Sequence, residues 1–138
     1  MIHEFNLEIY PRTLWVTSDA TPEELSQLFP TDSDGNIINW LEGIEGFGCE
    51  MTVYSEPKKL GGMLMRFENL EAMTPAHIAH EAVHAADDIY YFIGARPDVC
   101  NNEPYAYLVG YIIDCCEKAR EDDNTRNNRV LQETPLRD

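Results

Sequence analysis

The sequence contains few basic residues and no long apolar run. Lys and Arg supply 10 of its 138 residues against 25 Asp and Glu, which gives a formal net charge of -15. This balance repels phosphate backbones and anionic lipid surfaces, so we expect neither nucleic acid nor membrane as a partner. No stretch reaches the roughly 18 consecutive apolar residues that a membrane-spanning helix needs.

The first residues also lack the basic segment and apolar block of a secretory leader. The chain has four cysteines, and none shows the short paired spacing of a zinc ribbon or a thioredoxin-like motif. Two disulfides would be possible in a secreted protein, but the missing leader favours reduced thiols. These absences predict a cytoplasmic protein whose function does not depend on cysteine chemistry.

What is present fits one globular domain, because 43% of the residues are hydrophobic and the length suits a single core. Alternating apolar residues predict a hairpin over 5–17 and two further strands over 49–55 and 62–68. A threonine, a proline and two acids at 21–24 predict a short helix. The acidic segment 32–36 is interpreted as a turn, since it lacks the glycine and glutamate of a calcium loop. Residues 37–47 give an ambiguous pattern.

Two longer helices follow the strands. The first begins after Thr74 with Pro75 in its first turn and ends at Gly94. The second begins near 101–104 and is predicted to end by Arg120. We therefore predict an α+β fold in which a small mixed or antiparallel sheet packs against these two helices. Residues 1–120 would form the domain, and residues 121–138 a polar C-terminal tail with at most a short docking segment.

Within the first of these helices lies the pattern HExxH, at His80, Glu81 and His84. Histidines four residues apart lie on the same face of a helix, so both imidazoles can bind one ion. Glu81 follows His80 directly, an offset that suits a carboxylate acting on water as a general base rather than as a ligand. This motif inside a capped helix predicts a zinc site.

A catalytic zinc site has three protein ligands and one open position, so a third ligand is needed. Glu103 is the candidate, because a reversal of the chain would bring the start of the next helix back beside the histidines; Asp98 is the substitute. The 3.6-residue period places Glu103 on one face with Ala106, Tyr107 and Gly110. The two small residues of this face would let the two helices approach closely near the metal.

Taken together, the HExxH helix and the Asn102–Glu103 pair that opens the next helix resemble the thermolysin-like, or gluzincin, class of zinc metallopeptidases. The resemblance covers roughly residues 73–113. It implies a zincin-like fold, zinc bound by His80, His84 and Glu103, and Glu81 as the general base. It also implies supporting roles around the ligands for Asp88 and Asn102, and a substrate-binding edge near residues 62–67.

The chain also departs from this class. Tyr107 stands where larger members carry an aspartate, so Asp87 or Asp88 would have to replace it. No large C-terminal helical domain follows, so a tyrosine or His77 would have to stabilise the oxyanion; for His77 a plain surface role is the simpler interpretation. The resemblance is therefore to a minimal, intracellular version, of the kind that phage or prophage genes encode.

The main functional hypothesis is a zinc metallopeptidase that hydrolyses peptide bonds of a peptide or protein substrate through a metal-activated water, with Glu81 as general base. The alternative is a non-catalytic metal-binding domain, or an acidic domain that binds or inhibits a basic protein. Manganese, cobalt and nickel remain open as substitutes for zinc. The sequence does not indicate the oligomeric state.

Overall fold

The computed structural model of the chain describes residues 1–133, so the part of the predicted tail from 134 onward lies outside the described residues. It has an α+β fold, as predicted. The elements are β1 (His3–Asn6), β2 (Thr13–Thr17), α1 (Pro22–Leu28), β3 (Gly48–Ser55), β4 (Leu60–Phe67), α2 (Pro75–Ile93) and α3 (Glu103–Glu133).

The four strands form one mixed sheet in the order β1-β2-β4-β3. The predicted hairpins β1–β2 and β3–β4 are both antiparallel, and β2 and β4 join them as a parallel pair. At that join the backbones approach so closely that a Cβ on Gly62 would lie 1.8 Å from the carbonyl oxygen of Thr13. Only glycine fits at position 62, which explains the presence of this residue near the start of an otherwise apolar strand.

This strand order corrects the predicted position of the substrate-binding edge. Residues 62–67 belong to β4, which has a hydrogen-bonded neighbour on each side and therefore offers no edge. Of the two strands in this hairpin, β3 lies at an edge of the sheet, and α2 packs across both β3 and β4. Near the end of β3, the amide of Tyr54 donates a hydrogen bond to the carbonyl oxygen of Thr31, on the side of the strand that faces away from β4.

The core has two parts, one on each face of the sheet. On one face, α2 and α3 bury the apolar residues of alternate sheet positions, such as Leu14, Met63 and Met65. On the other face, α1 and the irregular segment before β3 enclose Trp15 and Phe29. Alternate residues of the strands are therefore buried on opposite faces of the sheet. The chain forms three layers with the sheet in the middle.

The second long helix differs from the prediction. α3 continues to Glu133, so the predicted end near Arg120 is wrong. The reason lies in Asp123, which is 2% exposed and accepts hydrogen bonds from His3, Ser18 and Arg126 at 2.8, 3.2 and 3.1 Å. These contacts join the helix to β1 and to the segment after β2. They stabilise a part of the helix whose sequence is mostly polar. None of the helices within 1–133 is long and apolar enough to cross a membrane.

Candidate metal and hydrolytic site

The HExxH motif lies in the middle of α2, whose two ends are defined by the sequence. The hydroxyl of Thr74 accepts a hydrogen bond from the amide of His77, and Gly94 ends the helix in the left-handed conformation at φ 77°. One face of the helix enters the core with Ile78, Ala82 and Ile89. The motif lies along the border between this buried face and solvent.

The two motif histidines lie together on the solvent side of that border. His80 and His84 are both exposed, and their ring centroids are 5.0 Å apart. Their planes are inclined by 71°, which is an edge-to-face arrangement. The predicted pairing of two imidazoles on one face is therefore present, and the rings are open to an ion or a substrate from solvent.

Aromatic contacts support the histidines from the side of β3. The Phe47 ring stacks on His77 with centroids 3.7 Å apart, and its edge contacts His80 at 5.6 Å. His77 also makes a 2.8 Å hydrogen bond through Nδ1 to the carbonyl oxygen of Ala72, so Nδ1 carries the hydrogen in the neutral ring. His77 is thus held in place rather than being a free surface residue.

Glu81 is buried, unlike the histidines on either side of it. It is 3% exposed, and its Oε1 lies 4.0 Å from Nε2 of His80. Its Oε2 is buried and has no hydrogen-bond partner among the described residues. A buried carboxylate oxygen without a partner costs free energy, so its retention requires an explanation.

A second carboxyl group with the same property faces α2 from the sheet. Glu50, on β3, has a buried Oε1 that likewise has no partner in residues 1–133. Burial, a hydrogen bond with Asp88 and the negative charges of Asp88, Glu81 and Asp87 raise the pKa of Glu50 to about 10. At neutral pH Glu50 therefore carries a proton, and the predicted supporting residue Asp88 is its partner.

The start of α3 lies beside the motif. The hydroxyl of Tyr105 donates to Oδ1 of Asp87 at 2.6 Å and lies 3.3 Å from the carbonyl oxygen of Val83, the residue before His84. Burial, followed by the interaction with Asp87, raises the pKa of this phenol. The reversal of the chain that the sequence predicts between the two helices is therefore present.

Glu103, however, does not lie in one cluster with the two histidines. It is exposed, and it lines an open groove whose other lining residues also belong to α3, among them Ala106, Tyr107 and Gly110. Two residues along a helix correspond to a rotation of about 200°, so when Tyr105 faces α2 the side chain of Glu103 points elsewhere. Its role as a ligand stays a prediction.

The close approach predicted through the two small residues of α3 is wrong. Gly110 is exposed, and a Cβ placed on it would meet no other part of the protein within 4 Å. Leu108 and Ile112 are the buried residues that face the core, as predicted. They determine the rotation of α3 about its axis, because larger apolar side chains gain more free energy from burial than alanine and glycine do.

The remaining predicted residues lie in the connection between the helices. Asn102 is exposed, and its carbonyl oxygen accepts the amide of Ala106 at 2.8 Å as the first bond of α3. Asp98 accepts the amide of Cys100 at 2.9 Å, which stabilises a turn. Both contacts are made to residues close by in the sequence, so the supporting role of Asn102 and the substitute role of Asp98 stay predictions.

The one cluster in residues 1–133 with three possible ligand atoms within 4.8 Å of one another lies elsewhere, at His3, Asp122 and Asp123. Its buried carboxylate already has a cationic partner, because Arg126 lies 3.1 Å from Asp123. We interpret this cluster as the anchor of α3, since an ion there would have to compete with a guanidinium.

Comparisons with known proteins add no assignment. Neither the protein-family models, nor the curated proteins, nor the solved structures include a match to this chain. The site must therefore be interpreted from its own residues.

Phe47 and Glu50 are the two residues of the site that the sequence did not indicate. For Glu50 a signal existed, since an acidic residue stands at a position of the strand whose alternation points towards the motif helix. Little in the sequence indicates Phe47, because the segment before β3 has no regular pattern.

Proposed function

We propose that the chain is a metal-dependent hydrolase of the zincin type that cleaves peptide bonds in peptides or proteins. The observation that carries the proposal is Glu81, a buried carboxylate between two exposed histidines, whose Oε2 has no partner anywhere in residues 1–133. A structural role would place such an oxygen against a donor, as nearly all buried polar groups are placed. A general base must keep one oxygen available for water.

The donor atoms fit a borderline-soft divalent ion such as zinc. Two imidazoles from one helical face are its usual ligands, and their exposure leaves room for a third ligand and an open position. When bound, such an ion lowers the pKa of water and polarises a carbonyl group. We expect Zn²⁺ as the natural ion and the cytoplasm as the location.

The chain's own residues would carry the proton. Glu81 accepts a proton from the water that attacks the carbonyl carbon, and then returns it to the nitrogen as the C–N bond breaks. One carboxylate serves both steps. Phe47, which is itself stacked on His77, packs against His80 from one side, so that the imidazole keeps its orientation during the reaction.

The proposal needs a third ligand, and Glu103 remains the candidate. Tyr105 fixes the start of α3 beside Val83 and Asp87, and Glu103 is two residues from that contact, a rise of about 3 Å. Binding of the ion would therefore require the carboxylate of Glu103 to rotate out of its groove towards His84.

The test combines metal content with hydrolysis. The purified chain is stripped with chelator, reloaded with zinc and assayed by mass spectrometry, both for bound metal and for cleavage of a peptide library. We expect Glu81→Gln to keep zinc and lose turnover, and His80→Ala to lose zinc. His3→Ala is the control for loss of a histidine outside the site.

Three outcomes would contradict the proposal. Turnover by Glu81→Gln equal to that of the parent would refute the mechanism. Zinc that is lost from His3→Ala but kept by His80→Ala would place the ion at the other cluster. Zinc binding with no cleavage of any peptide would favour the non-catalytic metal-binding alternative.

A further inference from the structure

An open groove follows the solvent side of α3 and continues into a hollow beside the β1–β2 turn. The groove has a volume of about 610 Å³ and the hollow one of about 330 Å³, and both are lined by Tyr107 and Tyr111. We call this joint surface the α3 groove; its walls are α3 from Glu103 to Asp114 and the turn at residues 7–10. Along the helix it extends for about 17 Å, or three turns.

Large apolar side chains are exposed along the α3 groove. Tyr107 is 76% exposed, and Ile9, on the β1–β2 turn, is 87% exposed. The phenol of Tyr111 donates a hydrogen bond to the carbonyl oxygen of Asn6 at 3.2 Å, so its ring is held between the helix and β1. An aromatic surface that is already ordered loses little side-chain entropy when a partner covers it.

The charged side chains that line the α3 groove are all acidic. They are Glu8, Glu103 and Asp114, and none of them forms an ion pair within residues 1–133. A second copy of the chain would bring the same net charge of -15, and a nucleic acid or an anionic lipid surface would also be repelled. Charge complementarity therefore favours a cationic segment of another protein.

The helical wall determines which conformation of that segment fits. The side of a helix has no unpaired N–H or C=O groups, so an extended segment would gain no sheet hydrogen bonds there, whereas a helix satisfies its own backbone. Gly110 is exposed, and a Cβ placed on it would meet no other part of the protein within 4 Å. A partner helix can therefore approach α3 closely at this position.

We propose that the α3 groove binds a cationic amphipathic helix of a partner protein. Apolar side chains of that helix pack against Tyr107 and Tyr111, and its Lys or Arg side chains pair with Glu8 and Asp114 at the rim. The inference goes beyond the proposed function and does not depend on it. Glu103 can turn towards the histidines without loss of the complementarity, because the other two acids remain.

The first test uses fluorescence anisotropy with a labelled peptide of about 14 residues that places leucine on one helical face and lysine on the other. The full chain is titrated in chelator and about 0.15 M salt, and we expect a Kd on the order of 10 μM or tighter. Gly110→Leu should weaken binding at least about tenfold, because leucine fills the groove. The same change should raise Tm by roughly 2 to 4 °C, because leucine has the higher helix propensity.

Thr125→Leu, at an exposed position of α3 outside the groove, is the control for this substitution and should leave the Kd within about twofold of the parent. No binding of the lysine peptide, equal binding of a peptide with glutamate in place of lysine, or an unchanged Kd in Gly110→Leu would overturn the proposal. A dimer of the parent that Gly110→Leu abolishes in size-exclusion chromatography would also overturn it, because it would assign the groove to a second copy.

The second test separates the groove from the overall negative charge. Asp114→Lys and Glu121→Lys make the same change in net charge on the same helix, but only Asp114 lines the groove. We expect Asp114→Lys to weaken peptide binding at least about tenfold and Glu121→Lys less than about threefold. Equal losses in the two variants would mean that the peptide responds to net charge alone, and the proposed groove would be refuted.

Discussion

Replacement of Glu81 by methionine should make the protein more stable and inactive at the same time. Methionine has nearly the volume and the helix propensity of glutamate, but it has no oxygen to leave unpaired. An unsatisfied buried polar group costs about 1 to 3 kcal/mol, and more when it is charged. Since Glu81 is 3% exposed and its Oε2 has no partner in residues 1–133, we expect Glu81→Met to raise the free energy of unfolding by about 1 to 3 kcal/mol.

The assay is chemical and thermal unfolding of the metal-free chain, followed by circular dichroism. For a chain of this length the gain corresponds to a rise in Tm of roughly 4 to 12 °C, with an unchanged m-value. Glu121→Met, at an exposed position of α3, is the control, and it should change stability by less than about 0.5 kcal/mol. Hydrolysis and stability are measured on the same preparations.

A loss of stability in Glu81→Met would refute this reasoning. It would mean that the carboxylate makes compensating interactions in the folded chain, so that its burial is structural and Oε2 is not held available for water. A gain in stability together with a loss of turnover is the expected signature of a group that is kept for chemistry at the expense of stability.

Two further predictions concern α3. Glu103→Ala should weaken zinc binding at least about tenfold by titration of the metal-free protein, because it removes the proposed third ligand, whereas Asp114→Ala, in the same groove, should not; equal affinities would exclude Glu103. Asp123→Ala should lower the free energy of unfolding by about 2 to 4 kcal/mol in denaturant titrations, because it leaves the donors of His3 and Ser18 unpaired, whereas the exposed Asp122→Ala should cost less than about 1 kcal/mol.

The features that could be predicted from the sequence depend on neighbours along the chain. The ends of α2 follow from Thr74 and Gly94, and the shared face of His80 and His84 follows from the helical period. The hairpins follow from alternation of apolar residues. In each case the interactions that decide the structure lie within a few residues of one another, so a local pattern contains the information.

The features that could not be predicted depend on residues far apart in sequence. The parallel pairing of β2 with β4 joins two hairpins, and only the tight contact at Gly62 hints at it. The extension of α3 beyond Arg120 depends on Asp123, whose partner His3 is 120 residues away. The face that α3 turns towards α2 depends on which of its residues gain most from burial against the core, and a ligand pattern alone cannot decide that.

The same distinction explains the chemistry of the site. HExxH places two histidines and one carboxylate by helical geometry, but it does not determine the state of that carboxylate. Glu50, on β3, affects this state, because a second ionised carboxyl group beside Glu81 would make each charge costlier to bury. Burial and the neighbouring acidic groups raise the pKa of Glu50 to about 10, so at neutral pH this group adds no second negative charge there. The surroundings of the motif therefore depend on the strand as well as on the motif helix, because β3 brings a second carboxyl group with a buried oxygen to the side of Glu81.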